Sequence, residues 1–182
     1  MTDGGVEVAK TSSPGPVLIP NEEIAARVQS LAGEITRDYQ GRPIKFGVVL
    51  TGAMVFAADL MRQVSLDVEV FFLQVASYGD GTVSSGRIRV RGDVDLDLAD
   101  THVLVVDDIV DTGRTTKAVL DMLGSFGPAT LRMAALLNKQ SRRRVDVQAD
   151  YVGFEVPNKF VVGYGMDYGG AFRHLPSVHT VD

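Results

Sequence analysis

The sequence predicts an α/β protein with a central parallel sheet flanked by helices, and three observations carry that expectation. Val103-Leu104-Val105-Val106 is apolar on both strand faces and rich in β-branched side chains, as in a strand buried within a parallel sheet. That strand runs through a short polar loop into apolar residues at helical spacing: Ala118, Val119, Met122, Leu123 and Phe126. The same strand-loop-helix order occurs earlier. Residues 44–50 form the strand, Thr51-Gly52-Ala53 the turn, and Val55, Phe56, Leu60, Met61 and Val64 the apolar positions of the helix.

At 182 residues the chain is long enough for one domain with a full sheet and its helices. With 45% hydrophobic and 23% charged residues, its composition is that of a globular protein. A net charge of −5 argues against a general nucleic-acid or anionic-membrane surface. The lack of cysteine excludes disulfides, thiol catalysis and cysteine-zinc sites, and fits a reducing cytoplasm. His102, His174 and His179 are too scattered for a histidine metal site. No apolar run approaches the ~20 residues that span a bilayer, and the first residues lack a signal-peptide core. The expectation is a cytoplasmic protein with no membrane or nucleic-acid partner.

Taken in order, residues 1–16 are rich in Gly, Ser, Thr and Pro and read as a mobile tail, with residues 17–182 as the folded unit. Pro20-Asn21-Glu22-Glu23 reads as a helix start, with Asn21 as cap and two acids in the first turn. Ile24, Val28, Leu31, Ile35 and Tyr39 then mark one buried face, and Gly41 and Pro43 end the helix. Residues 44–50 and 68–76 read as core strands. Ser77-Tyr78-Gly79 opens a polar, glycine-rich stretch to about residue 100, with Ser84-Ser85-Gly86 as a hairpin tip and Ile88 and Val90 alternating on the return. So long an excursion between core strands reads as a mobile lid. Residues 129–137 are another strand, ending at Asn138-Lys139. Arg142-Arg143-Arg144 reads as a solvated basic face. From Tyr151 onward, apolar residues alternate with glycines, which predicts short strands.

The chemistry concentrates at Asp107-Asp108-Ile109-Val110-Asp111-Thr112-Gly113-Arg114-Thr115. A strand turns successive side chains to opposite faces, so the acid pair predicts a strand that ends there. The loop after it sits at a helix N-terminus, where free N–H groups and the dipole favour an anion. Bare carboxylates repel phosphate. They fit if they grip hydroxyls or a divalent cation while the loop grips phosphate, so a sugar phosphate carrying Mg²⁺ meets both needs.

Residues 105–116 resemble the 5-phosphoribosyl-1-pyrophosphate (PRPP) signature of the type I phosphoribosyltransferases: a hydrophobic run, two acids, a spacer, then Asp-Thr-Gly and Thr. The stretch from Tyr151 to Tyr168 resembles the C-terminal hood of the hypoxanthine-guanine branch of that family. Together these similarities imply that fold, with a core over about 21–139, a hood over about 140–182 and a mobile lid hairpin. They also imply site roles. Asp107 and Asp108 would hold ribose hydroxyls and Mg²⁺, and Asp111, Thr112, Gly113, Arg114 and Thr115 would wrap the 5′-phosphate. Thr51 and Gly52 match a pyrophosphate loop that often reads Leu-Lys-Gly with a cis peptide; here Leu50-Thr51 stands in its place. Ser77 and Tyr78 match the lid's Ser-Tyr pair, and Arg173 a pyrophosphate arginine.

For the base, Lys139 matches a lysine that donates to a purine 6-oxygen; a donor-only side chain favours a 6-oxo over a 6-amino base. Tyr151 stands as the stacking aromatic and Val152 as the backbone reader of the purine edge. Asn158 falls where some relatives carry a second Mg²⁺ ligand, and its neutral oxygen implies weak binding. The implied reaction transfers the 5-phosphoribosyl group of PRPP to N9 of hypoxanthine or guanine, with Asp111 taking the N7 proton. Assembly as a homodimer or homotetramer is implied as well. Two rivals remain. One is a xanthine-preferring enzyme. The other is a PRPP-sensing regulator that binds RNA or DNA, which needs a basic face this acidic chain offers only at Arg142-Arg143-Arg144.

Overall fold

A computed structural model describes residues 13–78, 87–91 and 97–181. Two sheets organise them. The main sheet has the order β4-β3-β2-β5-β6-β7. Its strands are β2 (Ile44–Leu50), β3 (Val68–Tyr78), β4 (Arg87–Arg91), β5 (His102–Val110), β6 (Thr130–Asn138) and β7 (Tyr151–Glu155). All are parallel to their neighbours except β4, which returns antiparallel along β3. The return through Ile88 and Val90 matches the expected hairpin; its tip lies outside the described residues, as do residues 1–12 of the expected tail.

Three helices cover this sheet: α1 (Asn21–Asp38), α2 (Met54–Met61) and α3 (Arg114–Gly124). Strand β5 shows why its sequence is apolar throughout. Leu104 and Val106 pack in one cluster with Ile24, Val28, Leu31 and Ile35 of α1 and Phe56 and Leu60 of α2. Val103 and Val105 pack in the other with Val119 and Leu123 of α3. Each strand face thus has its own helical cover, which only an alternation-free apolar run can serve.

The strand does not end at the acid pair. It continues through Ile109 and Val110, paired with Leu137 and Asn138 of β6. Alternation therefore separates the acids, with Asp107 on the α3 side and Asp108 on the α1/α2 side. The strand order also creates the crevice. From β2 the chain crosses to β3 on one flank, whereas from β5 it crosses to β6 on the other. Ligands in open α/β sheets lie beyond the carboxyl ends of strands at such a reversal, here the ends of β2 and β5.

The second sheet is a small antiparallel one: β1 (Val17–Ile19), β9 (Val178–Val181) and β8 (Phe160–Val162), in the order β1-β9-β8. The structure differs from the sequence reading at several points of the hood and at the start of α1. Strand β7 joins the core sheet along β6, so the hood does not begin near residue 140. The hood draws its third strand from the start of the chain. Gly15 also leaves the expected tail: its N–H donates to the Thr180 carbonyl at 2.9 Å. At α1, the cap is Pro20 rather than Asn21, and the Asn21 N–H donates to Ser177 Oγ at 3.1 Å, a hood residue.

Candidate active site

Two cavities meet at the carboxyl ends of β2 and β5. One, of about 390 Å³, is lined by Thr51, Gly52, Asp108, Asp111, Lys139, Phe160, Val161, Asp167 and Arg173 among others. The other, of about 320 Å³, is lined by Asp107, Asp108, Asp111, Thr112, Gly113, Thr115 and Thr116 with Val49 and Val75. Asp108, Ile109 and Asp111 line both, so the acidic segment is the shared wall.

The phosphate-loop candidate begins where β5 stops. Gly113 has φ +81°, a left-handed conformation that starts α3, and a Cβ there would meet Val147 Cγ1 at 2.7 Å. Thr116 is buried behind the loop. Asp107 is buried and its Oδ1 accepts from the Asp108 N–H at 3.0 Å. Burial, reinforced by the neighbouring Asp108 charge, pushes the Asp107 carboxyl well above the ordinary carboxylate range. Burial also raises Asp108, against hydrogen bonds that lower it. Asp107 and Asp108 thus line the cleft as two carboxylates whose charge burial disfavours, a setting that a cation would relieve.

Gly52 sits against Asp108: a Cβ at position 52 would overlap Asp108 Oδ2. The Leu50-Thr51 peptide is cis. Arg173 reaches the same wall, with Nη1 donating to the Gly165 carbonyl and Nη2 paired with Asp167 Oδ1, both at 2.6 Å. Among the described residues no three Asp, Glu, His or Cys side chains form a closed metal site. Mg²⁺ suits such a cleft, because it keeps waters and shares one or two carboxylates with substrate phosphates.

Lys139 lies at the end of β6 and its side chain is 6% exposed. Burial lowers its pKa, opposed by Asp111 and aided by Arg142. Its Nζ stands 3.9 Å from Asp111 Oδ2. Arg142 Nε stands 2.8 Å from Asp111 Oδ1 without hydrogen-bond alignment, so that oxygen is buried with no hydrogen-bond partner among the described residues.

Three residues expected to contact the base or metal have other partners in the structure. Tyr151 is buried at the start of β7 in the α1/α2 cluster, where its hydroxyl donates to Asp38 Oδ2 at 2.7 Å and accepts from Arg132 Nη1 at 2.8 Å. It does not reach the cavity, and neither does Val152, its neighbour on β7, whose carbonyl accepts from Arg27 Nη2 at 2.6 Å. The aromatic at the cavity is Phe160, 52% exposed and edge-on to Tyr168 with ring centroids 5.5 Å apart. Asn158 lines the cavity, but its Oδ1 accepts from Arg142 Nη1 at 3.1 Å. Asp167 lines the same cavity, with Oδ1 paired to Arg173 Nη2 and Oδ2 accepting from the Gly170 N–H at 2.7 Å.

Val161 follows Phe160 on β8. Its partner across the hood is Thr180, which spends both backbone groups on the chain start: its N–H on Pro16 and its carbonyl on Gly15. Val161 is therefore in a non-hydrogen-bonded pair, and its own N–H and C=O turn to the open edge of β8. Sequence reasoning missed Phe160, Val161 and Asp167. The available signal for Phe160 and Val161 was their place on a short strand after Pro157-Asn158-Lys159, which reads as an edge strand; Asp167 lies beyond that strand. Ser77 and Tyr78 end β3, where their backbones pair with Ile88 and Arg87.

Residues 18–169 match the phosphoribosyl transferase domain family. A hypoxanthine-guanine phosphoribosyltransferase of Aquifex aeolicus is 47% identical over 167 residues, covering 91% of this chain and 94% of that one. A hypoxanthine phosphoribosyltransferase of Haemophilus influenzae is 44% identical over 168 residues, with coverage of 91% and 94%. The crystal structure of a Bacillus anthracis hypoxanthine-guanine phosphoribosyltransferase, with HEPES in its active site, superposes with a TM-score of 0.88 at 38% identity, covering 93% of this chain and 100% of that one. With its signature on the switch-point loop and its hood over the cleft, the chain belongs to the phosphoribosyltransferase family, on the hypoxanthine-guanine branch.

Proposed function

We propose that the cleft transfers the 5-phosphoribosyl group of PRPP to N9 of hypoxanthine or guanine and releases pyrophosphate. The observation that carries this reading is the acidic wall. On one side of it lies an anion loop, and on the other a cavity with a buried lysine, an exposed phenyl ring and an unpaired strand edge. The 5′-phosphate sits in the loop from Asp111 to Thr115. Asp107 and Asp108 take the ribose hydroxyls. Thr51, Gly52 and Arg173 receive the pyrophosphate, with Ser77 and Tyr78 closing from the lid side. The base stacks on Phe160, is read along its edge by Val161, and receives a proton-bearing donor from Lys139 at its 6-oxygen. Asp111 accepts the N7 proton as N9 becomes the nucleophile; an ionised carboxylate within reach is the requirement. Asp108 and Asp167 would hold Mg²⁺, which would supply charge neutralisation for the departing pyrophosphate. The same reading carries a cytoplasmic homodimer or homotetramer, for which exposed Met54 and Met61 on α2 and Phe72 on β3 offer apolar surface.

Pyrophosphate release from PRPP and Mg²⁺, measured over a panel of bases, tests the reading. Hypoxanthine and guanine should turn over, with xanthine as the nearer comparison. Adenine should fall behind by about 10⁴-fold, since it would leave the buried Lys139 donor facing an amine. Efficient use of adenine would overturn the roles given to Lys139 and Val161.

A further inference from the structure

The segment after Lys139 braces the phosphate loop from behind. Three successive loop carbonyls are held by it. Val110 O accepts from the Lys139 N–H at 2.9 Å, Asp111 O from Arg143 Nη1 at 2.8 Å, and Thr112 O from the Arg144 N–H at 2.9 Å. Two of these bonds are backbone to backbone. The middle one depends on a side chain.

Arg143 is itself held. Its Nη2 donates to Asn138 Oδ1, and Asn138 Nδ2 donates to Glu155 Oε1 at 2.7 Å. The Glu155 carboxylate fixes which way the Asn138 amide points, because it can only accept. That turns the amide oxygen toward the guanidinium. A relay thus runs from β7 through the end of β6 to the end of β5. Arg143 Cδ also lies 2.9 Å from where a Cβ at Gly113 would stand, so the side chain packs under the loop's left-handed turn.

The consequence follows from peptide planarity. In a trans peptide the C=O of one residue and the N–H of the next point in opposite directions. Holding the Asp111 carbonyl on Arg143 aims the Thr112 N–H the other way. Holding the Thr112 carbonyl on Arg144 does the same for the Gly113 N–H. Among the described residues neither N–H donates to any group. Both residues line the cavity of the loop.

We propose that Arg143, oriented by Asn138 and Glu155, is a positioning residue that aims the phosphate-loop amides at the 5′-phosphate of PRPP. It touches no substrate. The basic run that reads as a solvated face in sequence is, at Arg143, a brace. This rests on the reading of the Asp111–Thr115 loop as the phosphate site.

The test uses Arg143→Met, which keeps the stem and removes the fork, beside Arg143→Lys, Glu155→Gln and a loop control, Thr115→Ala. The readouts are KM for PRPP and for hypoxanthine, with the dissociation constant of PRPP-Mg²⁺ from calorimetry. Arg143→Met should raise the PRPP values about tenfold or more, the scale of one oriented charge-assisted hydrogen bond, and leave KM for hypoxanthine within about twofold. Arg143→Lys should recover part of the loss. Glu155 is exposed, so Glu155→Gln should fold normally and raise the PRPP values by a smaller factor. If Arg143→Met does not fold, Glu155→Gln decides alone: PRPP affinity equal to the parent protein overturns the proposal. If Thr115→Ala weakens PRPP while neither Arg143→Met nor Glu155→Gln does, the brace is refuted and the loop reading stands. If none of the variants alters PRPP affinity, the loop reading falls and the brace with it. An equal rise in both KM values would mark Arg143 as a general structural residue and also overturn the proposal.

Discussion

Asp111 and Gly52 concentrate the chemistry of this chain into single atoms. Asp111 stands between two cations, Lys139 at 3.9 Å and Arg142 at 2.8 Å, and lines both cavities. Asp111→Asn retains the shape and removes proton acceptance. General-base catalysis contributes about 10²–10⁴-fold, so kcat should fall within that range while KM for PRPP changes little. Steady-state kinetics with both substrates varied check this. A rise confined to KM for PRPP would make Asp111 a loop residue and leave the proton to another acceptor. Gly52 carries a different constraint. Any side chain there collides with Asp108 Oδ2, and Asp108 is anchored in a buried strand. Gly52→Ala should therefore displace the Asp108 carboxylate and weaken PRPP-Mg²⁺ binding at least tenfold, while thermal stability stays near that of the parent chain. Calorimetric titration with PRPP-Mg²⁺ and a melting curve separate the two effects.

At the scale of elements, one polar tie joins the end of α1 to the outer strands of the main sheet. Asp38 accepts from Tyr151 Oη and pairs with Arg132 Nη1 at 2.8 Å, so α1, β6 and β7 meet at one carboxylate. The Tyr151 hydrogen bond, with Arg132 behind it, lowers the Asp38 pKa below its ordinary 3.8. Burial first, then the neighbouring Asp38, push the Tyr151 hydroxyl upward. The sign for stability follows from linkage. A carboxyl group depressed in the folded state stabilises the fold fully above its unfolded pKa, and that stability is lost as pH falls through the lower folded value. Asp38→Asn should flatten the acid limb below about pH 4 and leave the difference from the parent protein constant near neutrality. Urea midpoints across that range measure it. Asp38 is itself exposed, so the effect will be modest.

At the scale of the molecule, the hood is a clasp made from both ends of the chain. β9 sits between β1 and β8, with Gly15 and Pro16 exchanging hydrogen bonds with Thr180. That placement turns the Val161 backbone outward to the cavity. Removing residues 1–19 strips one edge from β9. The amide protons of β8 and β9 should then exchange faster, while those of β2 and β5 keep their protection. Hydrogen exchange resolved by segment checks this, and KM for hypoxanthine should rise more than KM for PRPP. Uniform loss of protection across both sheets would show that the two ends stabilise the whole fold and not the hood alone.

What the sequence by itself determined is what neighbouring residues encode. The apolar run at Val103–Val106 announced a strand covered on both faces, and the acids and Asp-Thr-Gly after it announced a site where a strand meets a helix. The resemblance then supplied a family, and Asp107, Asp108, Asp111, Thr112, Gly113, Lys139 and Arg173 do converge on one cleft. Tertiary structure decided the rest. Tyr151 and Phe160 are both aromatics on short strands, and nothing local separates them. Their fates differ because β7 closes the core sheet against α1 while β8 is the open edge of the hood. Asn158 and Asp167 both line the cavity, and long-range contacts gave each its arginine, Arg142 for Asn158 and Arg173 for Asp167. Arg143 was illegible for a related reason: a basic run reads as solvated unless carbonyls from another strand lie beneath it. Periodicity records which face of an element is apolar. Which elements become neighbours is settled by long-range pairing, and the base pocket lies where such neighbours meet.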